Sequence, residues 1–230
     1  LLTETASPFA LERWAAFFAN FGQFAKGFLY TLGISIGALI VALLLGLIFG
    51  AMSSTHNKVL RGISRVYVEI FQNTPLLVQF VVVFYGISIL TDGNVMIPTS
   101  LTAILCVGVY TGAYISEIIR TGIDAIPKGQ TEAALSQGFT YADTMRIIIL
   151  PQAVRTILPP LTNQVVNLIK NTSTVAIISG ADIMFTAKAW AYDTTNYVPA
   201  FAGAAFLYFI MCFPLATWAR RKEEENKKAY

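Results

Sequence analysis

Four ionisable residues stand within or beside long apolar stretches of this 230-residue sequence: Glu69, Glu117, Arg120 and Lys170. A charge at membrane depth is costly and is retained mainly where it binds a substrate, moves a proton or meets an opposite charge. Lys170 could bind a carboxylate and Glu69 an ammonium group, which together would hold a small zwitterion. The alternative is that these two side chains pair with each other and join two helices.

Two polar runs lie next to these charges. Pro75 ends the run after Glu69, and because proline lacks an amide N–H and disfavours helix at the preceding residue, the helix is predicted to kink or break there. A second polar run follows Lys170. Helix ends at such breaks carry partial charges that bind polar groups. The candidate substrate-binding residues therefore include both runs: Asn73 and Thr74, and Asn171, Thr172 and Ser173.

Glu117 and Arg120 are three residues apart and share one face of a helix. They are predicted either to form an intrahelical ion pair or to contact the ligand directly. The chain has no HExxH zinc motif, no phosphate-binding loop and a single histidine, His56. We therefore expect no catalytic residues, no metal site and no ATP bound by this chain itself.

The composition is that of a membrane protein. Hydrophobic residues make up 55% of the chain and charged residues 13%, whereas charged residues are about a quarter of a typical soluble domain. Runs of roughly 18 or more apolar residues are long enough to cross a bilayer. The sequence predicts an all-α membrane protein, one transmembrane domain over 1–230, with five spans at about 24–52, 62–90, 99–120, 151–179 and 200–218.

Smaller features refine this prediction. Pro159 and Pro160 are expected to interrupt the fourth span, and 180–199 is expected to be a connector. Residues 8–21 are predicted to form an amphipathic helix that lies on the membrane surface or packs against the bundle. In the first span, Gly33 with Gly37, and Gly46 with Gly50, have the GxxxG spacing of close helix packing.

The basic residues set the predicted orientation. Of the 16 lysines and arginines, most fall on the side that holds the long polar loop 123–150 and the end of the chain. By the positive-inside rule this side is cytoplasmic and the N-terminus is external. The net charge of +3 is too small to suggest nucleic acid, and both cysteines are expected to be free thiols. The sequence begins with Leu1, and no cleavable signal peptide is visible.

The loop between the third and fourth spans reads as a helix, a stop and a new helix. Thr131 is predicted to cap the first helix, and Gly138 to end it in the left-handed conformation. Thr140 and Asp143 are three residues apart, which is the spacing typical of a helix start. An acidic residue is favoured in the first turn of a helix because the unpaired amides there carry partial positive charge. The result is a compact helical elbow outside the bilayer.

This elbow resembles the EAA loop of permease subunits of ABC importers, since Glu132, Ala133 and Ala134 are followed at the expected spacings by Gly138 and Pro151. The stretches 71–79, 114–130 and 168–173 also look like permeases for polar amino acids of the histidine, glutamine and glutamate type. A common form of the first stretch has arginine and glycine where Gln72 and Asn73 stand, so the preferred amino acid is left open.

The resemblance implies a type I ABC importer fold in the bacterial plasma (inner) membrane. It implies a second permease subunit, identical or paralogous, a dimer of cytoplasmic ATPases that binds ATP and Mg, and an external binding protein that delivers the amino acid. A secondary transporter coupled to an ion is the alternative, because broken helices suit it too. The residues that would contact the ATPase are Gln130, Glu132, Ala133, Ala134, Gly138, Phe139 and Pro151.

Overall fold

The computed structural model describes residues 7–228, without the side chains of residue 223 and of 225–228. Residues 1–6 and the side chains of Lys227 and Lys228, two of the basic residues used for the orientation, therefore lie outside the description. Within this range the chain is helical and contains no strand. The helices are α1 (Leu11–Ala19), α2 (Phe21–Ser53), α3 (Lys58–Gln72), α4 (Leu76–Val81), α5 (Ile87–Leu90), α6 (Thr99–Asp124), α7 (Lys128–Ser136), α8 (Tyr141–Asp143), α9 (Leu150–Asn171), α10 (Ile183–Thr194) and α11 (Tyr197–Lys228).

Helices α2 and α6 form the centre of the bundle and run in the same direction. Their contacts advance together, from Gly37 against Ile104 to Gly46 against Ile115. A Cβ placed on Gly46 would overlap the Ile115 side chain, so only glycine allows this approach. The predicted packing role is confirmed for Gly37, Gly46 and Gly50, but it is wrong for Gly33, where a Cβ would meet no neighbouring atom within 4 Å.

The second predicted span is broken where the sequence indicates. Helices α3 and α4–α5 meet at an angle of 96° across 73–75, and a π-helical turn, Val82–Gly86, joins α4 to α5. Three side chains of α3 tie it to the central pair by donating hydrogen bonds to backbone carbonyls. Ser64 donates to Phe49 at 2.7 Å, Tyr67 to Val109 at 2.7 Å and Gln72 to Ala113 at 3.2 Å.

The interruption that was predicted in the fourth span at Pro159 and Pro160 is wrong. Both prolines lie inside the continuous helix α9, which continues as a 3₁₀ helix, Thr172–Ile178, through the polar run after Lys170. The predicted connector 180–199 is also wrong in part, because it contains the twelve-residue helix α10. Asp182 starts α10 by accepting hydrogen bonds from the amides of Met184 and Phe185.

Three helices of the described range, α2, α6 and α11, are long and apolar enough to cross a membrane, and the bent pair α3 with α4–α5 makes a possible fourth. Helix α9 does not meet this criterion, so the fifth crossing stays a prediction. The N-terminal helix α1 packs against the bundle through Phe17, which is 4% exposed and contacts Phe24 and Trp190. Whether α1 also touches the membrane surface stays a prediction.

The contact between α2 and α6 generates a stability prediction. Gly46→Ala should lower the melting temperature of the detergent-solubilised protein, because a methyl group would overlap Ile115 and overpacking costs roughly 1–3 kcal/mol. Gly33→Ala is the matched control, since it lies on the same helix with open space around it. Equal melting temperatures for the two variants would contradict the close contact.

Candidate functional site

The elbow begins earlier than its sequence suggests. Helix α7 starts at Lys128 after Pro127, a residue whose fixed φ suits the start of a helix. Thr131 therefore lies inside the first turns of α7, and its prediction as the cap is wrong. Gln130 and Glu132, predicted to contact an ATPase, are exposed on this helix.

The end of α7 has the predicted left-handed glycine. Gly138 has a φ of +89°, and its amide donates to Leu135 O at 3.0 Å while the Phe139 amide donates to Ala134 O at 3.1 Å. This pair of hydrogen bonds is a Schellman motif, which satisfies the last carbonyls of a helix and reverses the chain. The turn is therefore fixed by backbone hydrogen bonds rather than left as a loose loop.

The helix after the turn also begins as predicted. Thr140 Oγ1 accepts a hydrogen bond from the Asp143 amide at 3.2 Å, so it caps α8. A π-helical segment, Thr144–Ile149, joins α8 directly to α9. The helical path thus runs without a break from Tyr141 to Asn171, and Pro151 lies in the first turn of α9.

The elbow presents a distinct outer face. Ala134 is 4% exposed, because α7 packs against the π-helical segment. Phe139 is half-buried, whereas Ala133 and Gly138 are exposed, as is Leu135, whose side chain is 47% exposed. An exposed leucine among small and polar residues on a rigid short helix suits a contact with another protein.

Two adjacent cavities, here called the loop-side cavities, lie beside α2, α3 and α6, and elbow residues such as Lys128 and Glu132 line the first of them. They measure about 590 and 450 Å³ and share Ser53, Arg61 and Arg120. Their walls carry four basic and four acidic side chains, so the formal charges cancel when His56 is neutral. The charged lining residues are Arg61, Arg65, Arg120, Lys128, Glu69, Glu117, Asp124 and Glu132.

The predicted ion pair between Glu117 and Arg120 is confirmed, and Arg120 also donates to Asp124 Oδ2 at 2.7 Å. Glu69, however, pairs with Arg65 at 2.7 Å. The alternative in which Glu69 pairs with Lys170 is therefore wrong, because a partner one helical turn away satisfies the carboxylate locally. Glu69 and Lys170 also line different cavities, so the structure does not bring these two charges to one ligand site.

The break at 73–75 is closed by side chains rather than open to a ligand. Asn73 donates to Glu69 O at 2.8 Å, and Thr74 donates to Ile70 O at 2.7 Å. The buried amide of Gln79 donates to Phe71 O and Thr74 O, at 3.2 and 3.0 Å. Backbone carbonyls freed in a bilayer need such partners. Sequence reasoning missed Gln79, although an amide one turn after a proline break is a recognisable signal.

Lys170 lines a third cavity, here called the Lys170 cavity, of about 310 Å³. Of its predicted neighbours only Ser173 shares this wall; Thr172 is buried and donates to Ile169 O at 2.6 Å, and Asn171 is half-buried. Lys170 has no ion-pair partner among the described side chains. The remaining lining residues are Met184, Phe201, Ala204, Ala205 and Tyr208.

A buried carboxylate lies behind this cavity. Asp182 is fully buried and accepts a hydrogen bond from the Tyr208 hydroxyl at 3.4 Å, in addition to the two amides of α10. Burial raises the pKa of Asp182 to about 6, against the opposing effect of these hydrogen bonds. Sequence reasoning missed this residue, although an aspartate just before a helix is a common cap.

Taken together, the long apolar helices, the broken helix and the rigid polar elbow define a membrane-spanning transport protein. Residues 42–223 match the family described as "Binding-protein-dependent transport system inner membrane component". The chain belongs to this family. Its apolar helices and its family make it a multi-pass protein of the inner membrane.

Individual relatives cover nearly the whole chain. It is 35% identical over 213 residues to the probable glutamine ABC transporter permease protein GlnM of Bacillus subtilis (strain 168), covering 93% of this chain and 97% of that protein. It is 33% identical to the glutamate/aspartate import permease protein GltJ of Escherichia coli (strain K12), covering 83% and 85%. A crystal structure of an amino acid ABC transporter with histidines superposes with a TM-score of 0.85 at 30% identity, covering 92% and 98%. All three are components of ABC transporters, and none of these three is an ion-coupled carrier.

The raised pKa of Asp182 predicts a pH-dependent stability. The folded protein holds this proton more tightly than the unfolded chain, so the contribution of Asp182 to stability is full below about pH 4 and falls by about 3 kcal/mol as the pH rises through about 6. Asp182→Asn removes the ionisable group but keeps a capping side chain. The variant should melt above the wild type at pH 7.5 and alongside it near pH 4.5. A melting difference that does not change with pH would contradict this assignment.

Proposed function

We propose that this chain is the permease subunit of an ATP-driven importer that carries a polar amino acid into the cytoplasm by alternating access. The elbow is the observation that carries the proposal. Its backbone is fixed by the Schellman motif at Gly138, its outer face is exposed, and it continues into one helical path from Tyr141 to Asn171. A rigid elbow of this kind can pass the movement of a partner protein into the bundle as a unit.

The chain crosses the membrane five times in this proposal, with α9 as the additional crossing. Helix α9 is long enough at 22 residues, and it packs against α6 and α11. The basic residues gathered at the elbow support a cytoplasmic elbow and C-terminus and an external N-terminus. The whole chain forms one transmembrane domain.

The proposed assembly contains a second permease subunit, identical or paralogous, and a dimer of cytoplasmic ATPases that binds ATP and Mg. Residues of the elbow, with Glu132, Ala133 and Gly138 at its exposed surface, form the contact with the ATPase. An external binding protein delivers the amino acid. The chain itself has no enzymatic role, because energy comes from the partner that hydrolyses ATP.

The cargo is a polar amino acid, as the names of the relatives support. The loop-side cavities suit its exit toward the cytoplasm. Their acidic and basic side chains balance, and Arg65 and Arg120 already pair with Glu69, Glu117 and Asp124. A wall of paired charges can exchange hydrogen bonds with a passing zwitterion without holding either of its ends strongly.

Reconstitution tests the function directly. The permease is placed in vesicles with its ATPase and binding protein, and both ATP hydrolysis and uptake are measured across the polar amino acids. The proposal expects one amino acid, or a small group, to stimulate hydrolysis and to be taken up only with ATP. Uptake that does not depend on ATP but depends on an imposed ion gradient would overturn the proposal.

The elbow generates a specific coupling prediction. Gly138→Ala should lower ATP-driven uptake several-fold, because alanine is strained at a φ of +89° and the turn costs about 1 kcal/mol or more to hold. Gly138→Asp adds a charge to the same strain and should abolish co-purification of the ATPase while membrane insertion is retained.

Gly129→Ala is the matched control for the elbow. Gly129 also has open space at the Cβ position, but it lies within α7, where alanine favours helix by about 1 kcal/mol. Uptake by this variant should equal or exceed the wild type. Normal ATPase co-purification with Gly138→Asp would show that the turn does not form the docking surface.

A further inference from the structure

The N-terminal helix α1 has two faces of different character. One face packs against the bundle: Phe17 is buried, its ring centroid lies 4.8 Å from that of Phe24, and a Cβ on Gly203 would overlap it. Arg13 donates a hydrogen bond to Thr195 O at 2.9 Å. These contacts fix α1 to the first turn of α2 and to the start of α11.

The second face of α1 is apolar and exposed. Leu11 and Phe18 are seven residues apart, which is the spacing of one helical face, and these residues are 87% and 67% exposed. Ala15 lies between them on the same face and is also exposed, while Trp14 beside it is half-buried. Adjacent exposed apolar side chains of this kind mark a surface that meets a membrane or another protein.

The position of α1 relative to the bilayer follows from α2, which begins two residues after α1 ends. The 33 residues of α2 extend roughly 50 Å at 1.5 Å per residue, whereas a bilayer with its headgroups is about 40–45 Å thick. Lys26 is the single charged residue of α2 and is exposed, and a lysine near the end of a span reaches into the headgroup layer. Phe17 contacts Phe24, two residues before Lys26, so α1 lies at the level of the headgroups.

The connection between α10 and α11, which Arg13 binds, lies at the same level. Tyr192 and Tyr197 flank Thr195, are both exposed, and have ring centroids 5.9 Å apart. Tyrosine is favoured at the headgroup layer because its ring is apolar and its hydroxyl binds water. This layer belongs to the leaflet opposite the elbow, since Ser53 at the other end of α2 lines the loop-side cavities.

Lipid is the partner that the surroundings of the exposed face favour. Exposed apolar residues continue along the chain from Phe18 into α2, at Phe21 and Leu29. Helix α2 is long and apolar enough to cross a membrane, so its exposed apolar residues meet lipid. The exposed face of α1 is therefore continuous along the chain with a lipid-facing surface.

We propose that the face formed by Leu11, Ala15 and Phe18 inserts among the lipids of the leaflet opposite the elbow, at the boundary between headgroups and acyl chains. The contact is apolar rather than ionic, because Glu12 and Arg13 are the two charged residues of α1 and their formal charges cancel. An anionic headgroup is therefore not required. Through Arg13, α1 ties this leaflet to the connection between α10 and α11.

Spin-label accessibility tests this contact. The permease is assembled with its ATPase in nanodiscs, and a nitroxide is attached in turn to Leu11→Cys, Phe18→Cys and Glu12→Cys. Cys106→Ser and Cys212→Ser remove the native thiols, both of which are free. Collisions of the nitroxide are measured with oxygen, which concentrates among acyl chains, and with a water-soluble nickel chelate.

The labels at Leu11 and Phe18 should show a ratio of oxygen to nickel collisions several-fold higher than the label at Glu12. Glu12 is the matched control, because it is exposed on the same helix but lies off the apolar face. The ratios should be the same in nanodiscs of zwitterionic lipid and in nanodiscs that also contain anionic lipid. Equal ratios at the three positions would overturn the proposal, as would high ratios that appear only with anionic lipid.

Two further measurements separate lipid from a protein partner. If the labels at Leu11 and Phe18 are open to nickel until the external binding protein is added, the face is a docking site for that protein and the proposal fails. If the labels of two permease copies lie close enough for their spins to couple, the face is an interface between copies and the proposal fails as well. Lipid contact expects neither result.

Tryptophan variants repeat the comparison with the native cysteines in place. Leu11→Trp and Phe18→Trp should add fluorescence that lipids with brominated acyl chains quench several-fold more strongly than the fluorescence added by Glu12→Trp. Equal quenching of the three would contradict the proposal even if the cysteine-free protein does not fold.

Discussion

The close contact between α2 and α6 determines where everything else lies. Gly46 and Gly112 let the two backbones approach, and in a bilayer such packing must hold helices together because lipid provides no hydrophobic drive for association. Since the two helices run in the same direction, each end of α2 lies beside the corresponding end of α6. One end gathers Ser53 and Asp124 beside the elbow, and the other gathers Thr31 beside Ile183, whose amide donates to the Thr31 hydroxyl at 3.1 Å. The elbow and the Lys170 cavity are thereby placed at opposite ends of one rigid pair.

The sequence predicted well what depends on neighbours along the chain. The break at Pro75, the left-handed Gly138, the cap at Thr140 and the Glu117–Arg120 pair each follow from residues within about one helical turn. The mistaken prediction for Thr131 has the same local origin, because Pro127 supplies an earlier start for the helix and makes a threonine cap unnecessary. Local rules were sufficient here, and the error came from choosing between two of them.

Contacts between distant residues were not predictable in this way. Asp182 and Tyr208 are 26 positions apart, and nothing in either residue's surroundings in the sequence indicates the other. The prolines at 159 and 160 illustrate the same difficulty, because whether a bundle helix bends or continues at a proline depends on the helices packed around it. Glu69 shows the opposite error. Its pairing with the distant Lys170 was predicted from charge alone, whereas the structure pairs it with Arg65, four residues earlier on the same helix.

The helical path from Tyr141 to Asn171 connects the two ends of the bundle. At about 1.5 Å per residue it extends roughly 45 Å, from the turn fixed by Gly138 to the lysine of the cavity. A displacement of the elbow must therefore either move Lys170 or be absorbed within this path. The π-helical segment and the proline pair are the points where its backbone hydrogen bonding departs from a regular α-helix. Between them and the cavity, the path has an unbroken helix of about three turns, so motion beyond Pro160 reaches Lys170 as the motion of a single body.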